Sequence, residues 1–467
     1  MAEQDIALMA HLMRRAGFGA TYEELEQRVS KGYGATVAEL LNPEGQPDLD
    51  MDIMERHFID MREMNALEVN QAYWTYRMIN TQRPLQEKVA LFWHGILCTG
   101  NSKCEHGRQI QLQLDMFREL GMKTFPEILR GLARDPAMVF YLDNCMSHKG
   151  AINENWGREL LELFAMGVGM DDEANYSEDD VKGAARAFTG WTITNPIPRY
   201  PYGRYESNFI FNPYDHDDED KTFLGETGNF NGDDIIDIIC KQPSAARFVA
   251  RHLYNFFVAD EAEVPAWQRT APRDPKAIKM LEDEYFKSGY SIGAMLEVLF
   301  NSDFFKNAQF EKVKSPAEVV IGTMRLVRDF TSPKVGLNPL ANNIRYMGQD
   351  LMNPPTVEGW HTGKEWIDSG TLVERINFAA DQLGNTGLPG VKDIVSRMES
   401  ENITNPEGLV DRCLEMVGGY YLADETRGQL VEHAQKGGNV SPGTEDYSIR
   451  VSEILQLIVA TQEYQFA

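Results

Sequence analysis

The sequence has no apolar run approaching the ~20 residues that a bilayer-spanning helix needs. Insertion into a membrane as a helix is therefore not expected. Positive charge is scarce: 45 Lys and Arg stand against 71 Asp and Glu, a formal charge of -26. A nucleic-acid partner has to be met with basic surface, so nucleic acid is disfavoured as the main ligand, and so is an anionic lipid surface. Cysteine is sparse and odd in number, five in 467 residues. That excludes a disulfide framework as the basis of the fold and suits reduced thiols in a cytoplasm. There is no internal repeat and no low-complexity tract, and the P-loop, the dinucleotide glycine fingerprint, HExxH and GxSxG are all missing. Arg14 and Arg15 resemble a twin-arginine signal, but GFGATYEEL follows where an apolar stretch belongs, so this stretch is not expected to act as an export signal.

Helical periodicity fills most of the chain, and the hydrophobic share, 43%, supplies a large core. Ile6, Leu8, Met9, Leu12 and Met13 form an apolar stripe that ends at Gly17 and Gly19. Thr21 and Glu24 read as a capping box, as do Ser177 and Asp180. The stretch 61–97 reads as two long helices, the second opened by Pro84. Further helices are predicted at 109–120, 153–167, 233–240, 243–258, 275–288, 291–300, 315–330, 371–383, 390–400, 407–416, 424–435 and 447–463. Strand patterning is confined to 191–225, around Phe209 and Phe211, which reads as a long ordered loop or short hairpin inserted in the helical body. The expectation is a mainly α protein: one extended helical domain over 1–467, without a flexible linker.

Eight colinear stretches resemble a known bacterial family. They are HLMRRAGFG at 11–19, LFWHG at 91–95, DPAMVFYLDN at 135–144, NENWGRELLELFAMGVG at 153–169, AARAFTGW at 184–191, HDDEDKTFLG at 216–225, KSPAEVVIGTMR at 314–325 and MGQDLMNPPTVEGW at 347–360. Their order and wording resemble the family of domain of unknown function 1800. The motifs cover 11–380, leaving 381–467 as a C-terminal helical extension packed on that core. The resemblance implies a possible sulfatase-like partner protein, and exported relatives make the periplasm the alternative to the cytoplasm. Ile96 stands where relatives carry a second His after the Trp93–His94 pair.

Four clusters can carry chemistry. On a helix from Asn153, Asn155, Arg158, Glu159 and Glu162 share a polar face, opposite Leu160, Leu161 and Phe164. With Asn153 and Glu154 at its start, and with Asp143 and Asn144 just upstream as cofactor contacts, this face could bind a cation, hold a phosphate or tune a carboxylate for proton transfer. The plain alternative is an amphipathic helix with i,i+4 pairs, Glu154–Arg158 and Arg158–Glu162. His94, among apolar neighbours, is a general base, a metal ligand or a core histidine bonded to the backbone. His216 and Asp217, in an acidic run with Lys221 nearby, could bind a divalent metal or relay a proton; otherwise they form a solvated loop. His94, Cys98, Cys104 and His106 offer soft ligands at a spacing that matches no usual zinc knuckle. Arg14, Arg15 and Arg375 read as anion contacts or as buried salt bridges. Two functions follow. One is a hydrolase or group transferase using carboxylate, His or metal-assisted chemistry. The other is a helical binding or assembly protein acting with a partner.

Overall fold

A computed structural model describes residues 3–50, 52–57, 66–171, 173–194, 197, 206–436 and 438–467. Among these residues the chain forms 24 α-helices and three two-stranded sheets, a mainly α domain as expected. One hydrophobic cluster runs from Ile6 to Tyr464 without a break, so the first and last helices share a single core.

Local chemistry explains most boundaries. Ser177 with Asp180, Asn231 with Asp234 and Ser315 with Glu318 form reciprocal capping boxes. Proline opens Pro84–Ile96, Pro243–Phe257 and Pro316–Val327, where its missing N–H costs nothing. The expected box at Thr21 is only half made. Thr21 Oγ1 accepts from Glu24 N at 3.3 Å, but the Glu24 carboxylate turns away to Arg28 Nε at 3.0 Å. The pair predicted over 61–97 is Leu67–Asn80 and Pro84–Ile96, with the first part of that range outside the described residues.

Within the 191–225 insertion the described residues form short antiparallel strand pairs. Trp191–Ile193 pairs antiparallel with Phe209–Phe211, Trp191 opposite Phe211. A second hairpin joins Lys221–Phe223 to Glu226–Gly228. The helix Glu178–Ala187 lies against that strand so closely that a Cβ at Gly183 would fall 2.5 Å from Thr222 O. Residues beyond 381 are integral to the core: Val391, Ile394, Leu409, Tyr447 and Leu455 are all buried in it. No helix among the described residues is long and apolar enough to cross a membrane.

Candidate functional site

The predicted helix at 153–167 is in fact two structures. An α-helical turn, Asn155–Glu159, passes into a π-helix, Leu160–Ala165. π-Turns weaken the backbone ladder and are enriched at functional sites. The expected faces survive the change. Trp156, Leu160, Leu161 and Phe164 are buried, while Arg158, Glu159 and Glu162 lie half-buried on the other side.

These polar residues have different duties. Asn153 Oδ1 accepts from Asn155 N at 2.9 Å, and Asn155 Nδ2 donates to Leu142 O at 3.2 Å, so both asparagines fix the helix start. Arg158 forms a two-pronged pair with Glu178, at 2.8 and 2.7 Å, and a longer contact of 3.5 Å with Glu154. Of the two i,i+4 pairs, Glu154–Arg158 is present, and Glu178 takes the guanidinium in place of Glu162. Glu162 instead accepts from the Tyr176 hydroxyl at 3.3 Å. Glu159 has no hydrogen bond or ion pair among the described residues. Burial, reinforced by the charges of Glu162 and Glu358, pushes its carboxyl above the usual range. Upstream, Asp143 is paired with Lys103 at 2.8 Å. Buried Asn144 donates to Phe188 O and Trp191 O and so ties this segment to the first hairpin.

His94 lies on the helix Pro84–Ile96. It is fully buried, and its Nε2 accepts from Met352 N at 3.1 Å, which leaves the proton on Nδ1. Its ring meets Trp74 and Trp360 edge-on, and burial pulls its pKa down to about 3. The histidine is thus neutral and clamps a backbone N–H at the base of the 350–360 loop. That loop is laid tightly on the end of the helix Pro84–Ile96. A Cβ on Gly359 would sit 2.4 Å from Gly95 O, and Gly359 has φ of 93°, so glycine is required there. The loop then delivers Glu358 into the field of Glu159. His94 therefore fixes the loop that carries Glu358, and no described bond joins it to Glu159 or His216. Replacing His94 by Leu orphans the Met352 N–H in a buried setting. Urea denaturation should show a loss of about 1–3 kcal/mol.

The 216–221 segment is internally satisfied. His216 Nδ1 bonds Thr189 O at 2.8 Å, and its ring packs on Phe211. Burial opposes the Asp217 charge, but Arg186, at 2.7 Å, and the Glu219 N–H outweigh it and hold the carboxyl below its usual range. Lys221 donates to the carbonyls of Asp217 and Glu219. The geometry gives Asp217 to Arg186 rather than leaving it open for a cation. The soft-ligand set is likewise dispersed. Cys98 bonds His94 O, Cys104 lies against Ala137 O, and His106 Nδ1 accepts from Gln109 N as a helix cap. Burial pushes both thiols well up, away from thiolate.

The sequence reading missed a different donor set. Glu263, His361 and Glu365 bring their ligand atoms within 4.8 Å of one another at the surface, the only such group of three or more among the described residues. His361 follows Trp360 directly, and Glu365 comes four residues later. The signal available was His361-x3-Glu365, one helical turn apart, with Glu263 brought in from a remote segment.

Fold and face together define a mainly helical, single-domain protein with a half-buried carboxylate cluster. The chain belongs to the family described as protein of unknown function (DUF1800), whose model matches residues 11–466. The match runs past residue 380 to the end of the helical body. No curated protein and no solved structure matches the chain.

Proposed function

We propose that the protein is an enzyme of the hydrolase or group-transfer class in which Glu159 moves a proton. The observation that carries this reading is a half-buried carboxyl without a bonded partner among the described residues, set in the field of Glu162 and Glu358. A structural carboxylate at that depth is ordinarily paired or hydrogen-bonded, and this one is not. Raising its pKa increases the protonated fraction near neutral pH, which suits a general acid. The Tyr141 hydroxyl adds a neutral donor to the same face. Burial and nearby Cys98, Cys104 and Glu159 raise its pKa to about 12, so it keeps its proton. Metal-assisted chemistry of the same class is a second reading, supported by the donor set of Glu263 with His361 and Glu365, the latter two on the stretch that follows Glu358.

The test is turnover of a panel of chromogenic esters, phosphoesters and glycosides. Glu159→Gln should lower any turnover at least about a hundredfold with the fold intact by circular dichroism. Activity that ignores this substitution sinks the proton-transfer role. Turnover abolished by a chelator and lost in His361→Ala brings in the metal-assisted version.

A further inference from the structure

A second site lies elsewhere in the molecule, where the N-terminal helix Glu3–Arg15, the helix Pro316–Val327 and the C-terminal residues meet. Five cationic side chains are buried here: Arg14, Arg15, Lys88, Lys314 and Arg375, each no more than 8% exposed. The one acidic side chain among them in the described residues is Glu318, and it is spent on Arg15, at 2.9 Å, and on Lys88. Arg375 is held by neutral oxygens, Gln465 Oε1 at 3.0 Å and Lys314 O at 2.7 Å. Arg14 and Lys314 have no carboxylate partner among the described residues.

Both have donors to spare. Arg14 lies between the rings of Phe310 and Tyr420, 5.0 Å from each, and its Nη1 donates to Gly418 O at 2.5 Å. Its Nε and Nη2 are buried and bond nothing among the described residues. That free edge is the fork with which guanidinium grips two oxygens of an anion. Lys314 Nζ donates to the Tyr420 hydroxyl and to Tyr464 O, both at 2.6 Å, which leaves one of its three protons. Burial, with Arg14 and Arg375 close by, pushes the Lys314 pKa well down, as it does for an ammonium lacking a counter-charge.

Arg14, Lys314, Tyr420 and Glu318 line a cavity of about 50 Å³ with Gly418 and Ala467. Ala467 makes no ion pair with either cation among the described residues. At roughly 10–15 Å³ per water, the space holds a few waters or one small ion. It is too small for a nucleotide. Gly418, at φ of 118°, allows the close approach: a Cβ there would stand 3.1 Å from Arg14 Nη1.

We propose that this cavity binds a tetrahedral oxyanion, phosphate or sulfate, through Arg14 and the Lys314 ammonium, both of which line it. A net-acidic protein that gathers its cations in one interior place without matching carboxylates has built a site for an external negative charge. Aromatic faces offset part of the cost of burying Arg14, but they cannot serve its unpaired N–H groups.

The experiment uses the full chain in chloride buffer, titrated with sodium phosphate or sodium sulfate at constant ionic strength. Tm should rise with either oxyanion, since a ligand that binds only the folded state stabilises it. Arg14→Lys keeps the charge but loses the fork, and it should weaken phosphate binding at least tenfold by calorimetry. Lys314→Gln should weaken it similarly. Should either variant fail to fold, the Arg14 Nε–H resonance of the unaltered protein is the readout, and it should shift as phosphate is added. A methyl phosphate that binds more tightly than phosphate would assign the anion to a larger ligand; weaker binding assigns it to the free ion. No response beyond that of chloride overturns the proposal, and so does a response equal in both variants and the unaltered chain.

Discussion

Glu318→Gln should cost about 3–5 kcal/mol of stability at neutral pH, the usual loss when one partner of a buried ion pair is removed. Glu318 is where three helices are joined. One oxygen accepts from Arg15 of the N-terminal helix and from Lys88 of Pro84–Ile96, and the other accepts from Ser315 N at 2.6 Å to cap its own helix. The amide would preserve shape and cap while leaving two buried cations without their only negative charge. Burial opposes ionisation of Glu318, but Lys88 and Arg15 outweigh it and hold the carboxyl well below its usual range. A depressed folded-state pKa gives stability that is fully present above the unfolded value near 4.5 and fades as pH falls through the folded one. The gap between variant and parent in urea denaturation should therefore be wide at pH 7 and narrow in strong acid. A pH-independent gap would mean that the loss comes from packing rather than charge.

How far the sequence foretold this structure depended on the range of the interactions. Helices announced by local chemistry were legible. Ser177 with Asp180 and Pro84 mark starts that the structure keeps within a residue or two, because a cap and its partner lie in one turn. Seven helices among the described residues were not foreseen: Tyr33–Leu40, Asp52–His57, Asn101–Cys104, Phe125–Ala133, Pro136–Tyr141, Asp303–Lys306 and Leu337–Tyr346. Four of them have six residues or fewer, and a proline directly after Phe125 and Asp135 invites a reading as turn rather than helix start. The π-turn at Leu160–Ala165 was invisible, since apolar spacing at 100° per residue predicts the same buried face for either ladder.

The candidate site was legible only in part, for a related reason. The residue types on the Asn155–Glu162 face could be read from spacing, and so could the pairing of Glu154 with Arg158. Which carboxylate would be left unpaired could not. That was decided by Glu178, which removes Arg158 from Glu162, and by Glu358, which arrives from some 200 residues away. Asp217 reads as an open ligand until Arg186 is brought onto it by the packing of Glu178–Ala187 against the second hairpin. The surplus of buried cations was equally hidden. Arg14, Lys314 and Arg375 read as ordinary in their own segments, and only the tertiary fold puts them together beside a carboxylate, Glu318, that is already taken by Arg15 and Lys88.

Asp135 gives an effect of comparable size and opposite sign. It caps the helix Pro136–Tyr141, and its Oδ1 accepts from Met138 N at 2.9 Å and from Gln113 Nε2 at 2.7 Å. No cation is paired with it among the described residues; its neighbour Arg134 is taken by Asp233. Burial dominates over these hydrogen bonds and raises its pKa to about 7. A carboxyl whose folded-state pKa lies above its unfolded value binds the extra proton in the folded state, so stability is lost as pH rises between the two. For Asp135 that window runs from the ordinary aspartate value of 3.8 to about 7, and the accumulated penalty at pH 8 is about 4 kcal/mol. Asn keeps an oxygen for Met138 N and Gln113 and is an equally good cap, without a charge to bury. Asp135→Asn should therefore be nearly neutral at pH 4 and stabilising by a few kcal/mol at pH 8, read as the change in urea midpoint at the two pH values. The contrast between the two carboxyls tests how this interior handles charge. Glu318 is buried with its cations and should be missed when it is gone, whereas Asp135 is buried with dipoles alone and its charge should be better absent. A midpoint for Asp135→Asn that stays below the parent at pH 8 would show that water reaches this cap and that its carboxylate is ionised at no cost.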